Sequence, residues 1–370
     1  MAIIPTVAVN LDHNILRTIL PLLENGRVGA IEWSYDALFA VEKIPAYFTD
    51  LLTAFARSQR LIGHGIFFSV CSAGWREEQA SYLQHLRSIG NRFPMQHVTE
   101  HFGFFTGADF HRGAPISPPF TASLLRIARD RVARLQDAAG CPVGLENLAL
   151  AYHYDDVLRQ YAFLEALLSP SGGFLILDLH NLFCQAHNFG VAPAELLSRY
   201  PLHLVREIHV SGGSWEPHPA APQGRVRRDT HDAAVPPEVF QLLREVIPRC
   251  PHLQFVTLEQ LGHALGGDAG PARFRADYTK IASLCEPNTG IFGPEASVRA
   301  VPVDIQGPPI TDERLAAEQA LLSSILETSD SAATARERLL DSPLAASAWQ
   351  IEDWEPHMLH TVWAIARKWR

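Results

Sequence analysis

Residues 143–181 read VGLENLALAYHYDDVLRQYAFLEALLSPSGGFLILDLHN. Two short apolar runs, VGLENLA (143–149) and GFLILDLHN (173–181), flank a stretch of helical period over 155–168. Strand, helix and strand in that order form a parallel β-α-β unit. Both strands end in side chains that bind protons or metals: Glu146 and Asn147 on the first, Asp178, His180 and Asn181 on the second.

The same alternation extends in both directions. Further apolar runs occupy 6–11 (TVAVNL), 29–35 (GAIEWSY), 61–69 (LIGHGIFFS), 97–105 (HVTEHFGFF), 205–213 (VREIHVSGG) and 254–260 (QFVTLEQ). Helical spacing marks 15–23, 44–58, 77–89, 122–138 and 237–247. Eight strand–helix units over residues 1–285 predict an α/β fold, a (β/α)8 TIM barrel. An open doubly wound sheet would show a glycine-rich phosphate loop after its first strand, and the sequence has none.

Beyond the barrel the pattern changes. Residues 286–310 hold five prolines and three glycines and predict a linker or extended arm. Residues 311–370 predict a helical C-terminal extension. Trp354, Met358, Thr361 and Ile365 share one helical face. Four of the seven tryptophans, Trp349, Trp354, Trp363 and Trp369, lie in this tail. Two readings stay open for it: a helical pack on the barrel, or a module that recognises a peptide or partner.

Bulk properties narrow the class. The chain has 370 residues and a formal net charge of −9, of which −6 lies from Glu286 onward. That balance argues against non-specific nucleic-acid binding, which needs a positive surface. Five cysteines without a C-x-x-C pair predict no disulfide framework and a cytoplasmic protein. The N-terminus lacks the basic flank and apolar run of a signal peptide, and no apolar stretch approaches the ~18 residues of a membrane span.

A buried barrel strand should be apolar. Here nearly every one carries an ionisable group near its end: Glu32, His64, Glu100 and His101, Glu146, Asp178 and His180, Glu207 and His209, Glu259. One such residue is readily a hydrogen-bonded core group. Six strands converging on one barrel mouth, where barrel enzymes place their active sites, point to a metal centre of Fe, Mn or Zn. Loop residues His187, Asp229 and His231 add further donors.

Seven segments in order carry a resemblance: HGIFFS (64–69), TEHFGFF (99–105), GLENLA (144–149), LDLHNLFCQAHNFG (177–190), EIHVSGG (207–213), DTHDAAVP (229–236) and TLEQ (257–260). Over about residues 7–285 the chain resembles the multinuclear non-haem iron oxidative enzymes, also known as domain of unknown function 692. The resemblance implies a TIM barrel holding two or three iron ions of mixed Fe(II)/Fe(III) state. It implies an O2-dependent oxidative modification of a residue, Cys above Asp or Asn, in a ribosomally made precursor peptide, and a partner protein that recruits the peptide. Carried over by motif, His64, His101 and Glu146 would hold one iron, and Glu146 would bridge to a second held by Asp178, His209 and Glu259. A third position would use His187, Asp229 and His231, with Asn181. Glu146, Asp178 and His209 would be the catalytic set.

Three departures stand out. The motif D-x-N-N is here Asp178-Leu179-His180-Asn181, which makes His180 an extra ligand or a hydrogen-bond partner of one. A Gly-His pair is here Gly212-Gly213, and Glu259 is followed by Gln260-Leu261 in place of Trp-Asp. The acidic tail is no part of the pattern. Two alternatives remain. One is a Zn or Mn barrel hydrolase or isomerase of the endonuclease IV or sugar isomerase type, although Lys43, Lys280 and Lys368 all lie off the strands. The other is a non-catalytic peptide-binding protein that uses the Trp-rich tail.

Overall fold

The computed structural model describes residues 3–39, 41, 43–105, 115–267, 269–286, 305 and 307–368. Most of the Pro- and Gly-rich stretch 286–310, and Trp369, lie outside the described residues. The barrel strands are β1 (Ile4–Val9), β2 (Ala30–Ser34), β3 (Leu61–Gly65), β4 (Val98–His101), β5 (Val143–Glu146), β6 (Phe174–Asp178), β7 (Val205–Val210) and β8 (Phe255–Leu258). Each pairs in parallel with its sequence neighbours, and β1 pairs with β8 at Ile4↔Phe255, which closes the barrel. The eight expected strands are all present, and each is trimmed at its polar end, where the chain leaves the sheet to form the mouth.

The strand period of two sorts the side chains. Ile4, Ala30, Ile62 and Phe255 meet as an apolar layer inside the barrel floor. Two residues further along each strand come Thr6, Glu32, His64 and Thr257, all buried. The interior therefore turns from apolar to ionisable within one strand repeat. The opposite parity faces the helices. That is why Glu100, next to His101, leaves the interior: its carboxyl meets the hydroxyls of Tyr35 and Tyr82.

Around the barrel run α1 (His13–Glu24), α2 (Ala46–Arg57), α3 (Glu77–Arg92), α4 (Ala122–Ala139), α5 (Tyr154–Leu168), α6 (Leu179–Asn188), α7 (Pro193–Leu197), α8 (Pro237–Val246) and α9 (Ala269–Cys285). Local chemistry sets their ends. The Asp12 side chain accepts from the amides of Asn14 and Ile15 at the start of α1, and Gly140, at φ 65°, stops α4. α9 closes the ring: the Tyr278 hydroxyl donates to the Arg27 carbonyl at 3.0 Å.

The tail forms α10 (Glu313–Thr328), α11 (Ala332–Leu340) and α12 (Pro356–Lys368) and packs against the mouth side of the barrel. Gln319 bridges a loop there, accepting from Ala73 N and donating to Cys71 O, both at 2.8 Å. Trp354 stacks on Tyr152 with ring centroids 3.8 Å apart and planes 4° from parallel. His357 Nε2 donates to the carbonyl of Asn188 at 2.8 Å. All five cysteines are buried and unpaired. Among the described residues no helix is long and apolar enough to cross a membrane.

Candidate metal centre

The first donor group grows from β3, β4 and β5. Thr99 Oγ1 donates to the Gly63 carbonyl (3.1 Å), so it can only accept from His64 Nδ1 (2.9 Å). The His64 Nδ1 proton is thereby placed, and Nε2 is left bare. It faces His101 Nε2 at 3.3 Å and Glu146 Oε2 at 3.6 Å. One ligand atom from each of His64, His101 and Glu146 lies within 4.8 Å of the others.

The second group is Glu146, Asp178 and His209, again with ligand atoms within 4.8 Å. His209 Nε2 donates to Glu32 Oε2 at 3.0 Å, which leaves Nδ1 as the nitrogen available to a ligand. That atom faces Glu259 Oε2 at 3.3 Å and Glu146 Oε1 at 3.9 Å. Below it, Glu207 is held by His97 Nε2 and Thr257 Oγ1, each at 2.7 Å. Asp178 caps α6 by accepting from Asn181 N at 2.5 Å through Oδ1. The Asn181 amide in turn donates to Glu146 Oε1 at 3.2 Å.

The loop after β7 supplies the third group. Asp229 Oδ1 accepts from His231 Nε2 (2.8 Å) and His180 Nδ1 (3.0 Å). Arg227 Nε donates to His180 Nε2 at 3.0 Å, so the His180 proton sits on Nδ1 and the ring is neutral. Both its nitrogens are engaged. Of the two readings the sequence allowed, His180 takes the second and orients Asp229. The donor set that converges on this side is Asp178, His231 and Glu259. His231 adopts φ 51°, a left-handed backbone rarely taken by a non-glycine residue.

His187 does not join them. The expected loop after β6 is the helix α6, and at ~1.5 Å rise per residue His187 lies about 10 Å along the axis from His180. Its Nε2 donates to the Arg225 carbonyl at 3.0 Å, and its ring packs edge-on against Trp215. Sequence reasoning gave no role to Thr99 or His97 and none in particular to Glu32. Strand parity was the available signal: Glu32 stands two residues beyond buried Ala30, as His64 stands two beyond Ile62.

The electrostatics are those of a cation site. Burial pushes Glu146 well above the carboxylate range, Glu32 to about 8 and Asp178 to about 7. Burial also disfavours the charged forms of Asp229 and Glu259, but the facing histidines together outweigh it and hold both low: His231 with His180 for Asp229, and His231 with His209 for Glu259. Burial lowers His64, and takes His101 to about 4, so both rings are neutral donors. Glu32 Oε1, Glu146 Oε2, Asp178 Oδ2, His209 Nδ1 and Glu259 Oε2 are all buried without a hydrogen-bond partner. Each such atom costs about 1–3 kcal/mol, more when charged. Five at one place fit coordination by metal ions. An imidazole and carboxylate set suits iron, manganese or zinc.

A cavity of about 250 Å³ opens over this cluster. His101, Asp229 and His231 line it, and so do Leu148, Leu261 and, from α12, Met358.

Residues 14–260 match the family described as "RiPP precursor modification enzyme MbnB/TglH/ChrH". A UPF0276 protein of Acaryochloris marina is 30% identical over 190 residues, 50% of this chain and 64% of that protein. A UPF0276 protein of Caulobacter vibrioides is 36% identical over 197 residues, 50% of this chain and 65% of that protein. The match thus spans just under two thirds of each relative. Among solved structures, a xylose isomerase domain protein from Planctomyces limnophilus gives a TM-score of 0.51 at 14% identity, over 78% of this chain and 99% of that one. At that identity the likeness is one of fold, and it agrees with the closed barrel. The family match takes in every barrel residue of the three donor groups and well over half of the chain, and the chain belongs to the RiPP precursor modification enzyme MbnB/TglH/ChrH family.

Proposed function

We propose that this chain is an iron-dependent oxidoreductase that uses O2 to modify one residue, Cys in the first instance, of a ribosomally made precursor peptide. The observation that carries the reading is the sharing of carboxylate ligands: Glu146 belongs to the first and second donor sets, and Asp178 to the second and third. Sharing of that kind suits adjacent ions bridged by a carboxylate. His64, His101 and Glu146 would hold one iron. Glu146, Asp178, His209 and Glu259 would hold a second, and Asp229 and His231 a third position. Bound iron would supply the one-electron and O2 chemistry that side chains lack.

The residues of the chain do the rest. Thr99 and Glu32 keep the ring protons of His64 and His209 on the nitrogens that face away from the cluster. Asn181 holds Glu146 in place, and Asn147 ties the end of β6 by accepting from Asp178 N at 2.8 Å. The apolar cavity walls exclude water from the substrate residue. His231 and Asp229 share a proton on His231 Nε2 when no ion holds them. The peptide substrate follows from the family, and a separate recruiting partner belongs to the same proposal.

The test is metal analysis of anaerobically purified protein, with electron paramagnetic resonance or Mössbauer spectra of the same sample. Two to three irons per chain with a coupled signal are expected. Zinc or manganese that persists after reconstitution with Fe(II) would replace this reading with the hydrolase or isomerase alternative.

A further inference from the structure

We propose that the C-terminal extension is part of the substrate site: α12 completes the cavity over the metal ligands and selects a peptide with a large apolar side chain beside the residue to be modified. This rests on the cluster below being the reaction centre.

The family match ends at residue 260, so it assigns nothing to α12. Yet Met358, Thr361 and Ile365 line the same cavity as His101, Asp229 and His231. Their spacing of three and four places them along one helical face. Leu148, Leu150 and Leu261 line the same cavity, and Leu261 is 40% exposed. The cavity lies below the ~300–1,000 Å³ of sites for drug-sized ligands, so it takes a short piece of a longer substrate.

The cations on its wall are already committed. Arg228 pairs with Glu216, and Arg227 donates to His180 while lying 4.8 Å from the Trp215 ring centroid. The Thr361 hydroxyl donates to the His357 carbonyl at 2.8 Å. What α12 offers a ligand is therefore apolar. A charged side chain there would lose its hydration without gaining a partner.

The wall is also registered to the metal ligands. His357 donates to the Asn188 carbonyl, and the Asn188 side chain brackets Arg227, donating to its carbonyl at 3.0 Å and accepting from its amide at 2.8 Å. Arg227 holds His180, and His180 holds Asp229. The helix that would read the neighbouring residue is thus tied by hydrogen bonds to a carboxylate of the cluster.

The experiment uses the full chain with its bound metal and N-acetyl tripeptide amides Gly-Cys-X, with X as Leu, Phe, Asp or Lys. Binding is measured by calorimetry, and metal content on every sample. Leu and Phe peptides should bind at least about tenfold more tightly than Asp or Lys peptides, the scale of burying one large apolar side chain. Ile365→Asp should reduce that preference to about twofold or less, and Ile365→Val should retain it. Ile365 is partly exposed, so neither change empties the core. An absent preference, or one that Ile365→Asp leaves unchanged, overturns the role of α12 even if the iron is present. A preference that behaves as expected in protein without iron supports α12 and removes the iron reading alone.

Discussion

The imidazole of His180 stands over Gly213: a β-carbon on Gly213 would lie 2.8 Å from His180 Cε1 and 2.1 Å from the Arg228 carbonyl oxygen. Two of the three departures from the family pattern therefore meet in space. Where the pattern has Asn and then Gly-His, this chain has His180 and Gly213, and the His180 ring fills the room beside position 213.

Gly213→Ala should destabilise the fold by about 1–3 kcal/mol, the cost of overpacking a full site. Urea unfolding at fixed metal content measures it. His180→Ala in the same background should not restore the loss, because the closer clash is with backbone.

Glu32→Gln should leave the fold intact and weaken metal binding by about 10–100-fold, the usual effect of altering the partner of a ligating histidine. Glu32 accepts the His209 Nε2 proton, and an amide can present its nitrogen there instead. Competition against a chelator reads the change. Unaltered affinity would detach Glu32 from the centre.

Glu146→Gln should lower the metal stoichiometry most, since Glu146 serves two donor sets. Asp229→Ala with His231→Ala should spare the His64, His101 and Glu146 set. His187→Ala should retain full metal content, because its ring is engaged with Arg225 and Trp215. Elemental analysis of the purified variants separates the three. Metal loss in His187→Ala would return that residue to the ligand list.

Metal uptake should strengthen as pH rises from about 6 to 8. Burial holds Asp178 at about 7 and Glu32 at about 8, and burial raises Glu146 as well, so the metal must displace protons that the folded chain keeps at low pH. For the metal-free fold the sign is opposite. A carboxyl raised from its unfolded value near 4 stabilises the fold below that value and loses this as pH rises through 7 to 8. His209 and His231 are raised because their facing carboxylates outweigh burial, and they act in the same direction. Thermal melts of metal-free and loaded protein across this range should diverge with pH.

Much of the barrel is legible in one dimension, because a parallel strand buried on both faces reads as an apolar run and a helix as a 3.6-residue period. Ligand types are legible for the same reason: an ionisable residue inside such a run is conspicuous. His187 shows where this stops. The motif QAHNFG reads as a polar loop, but Asp178 caps a helix there, and the helical rise carries His187 away from the cluster. Glu100 and His101 are adjacent in sequence and lie on opposite faces of β4, a distinction that needs the register.

The sequence alone thus determined the eight-fold alternation, the family and the residue types at the barrel mouth, since all three are local patterns. Only the tertiary structure decided which nitrogen of His64 and His209 faces the cluster, that His180 orients Asp229, and that α12 roofs the cavity. Those depend on hydrogen bonds between residues 35 to 177 positions apart, from His64 with Thr99 to His209 with Glu32, and no local period encodes them.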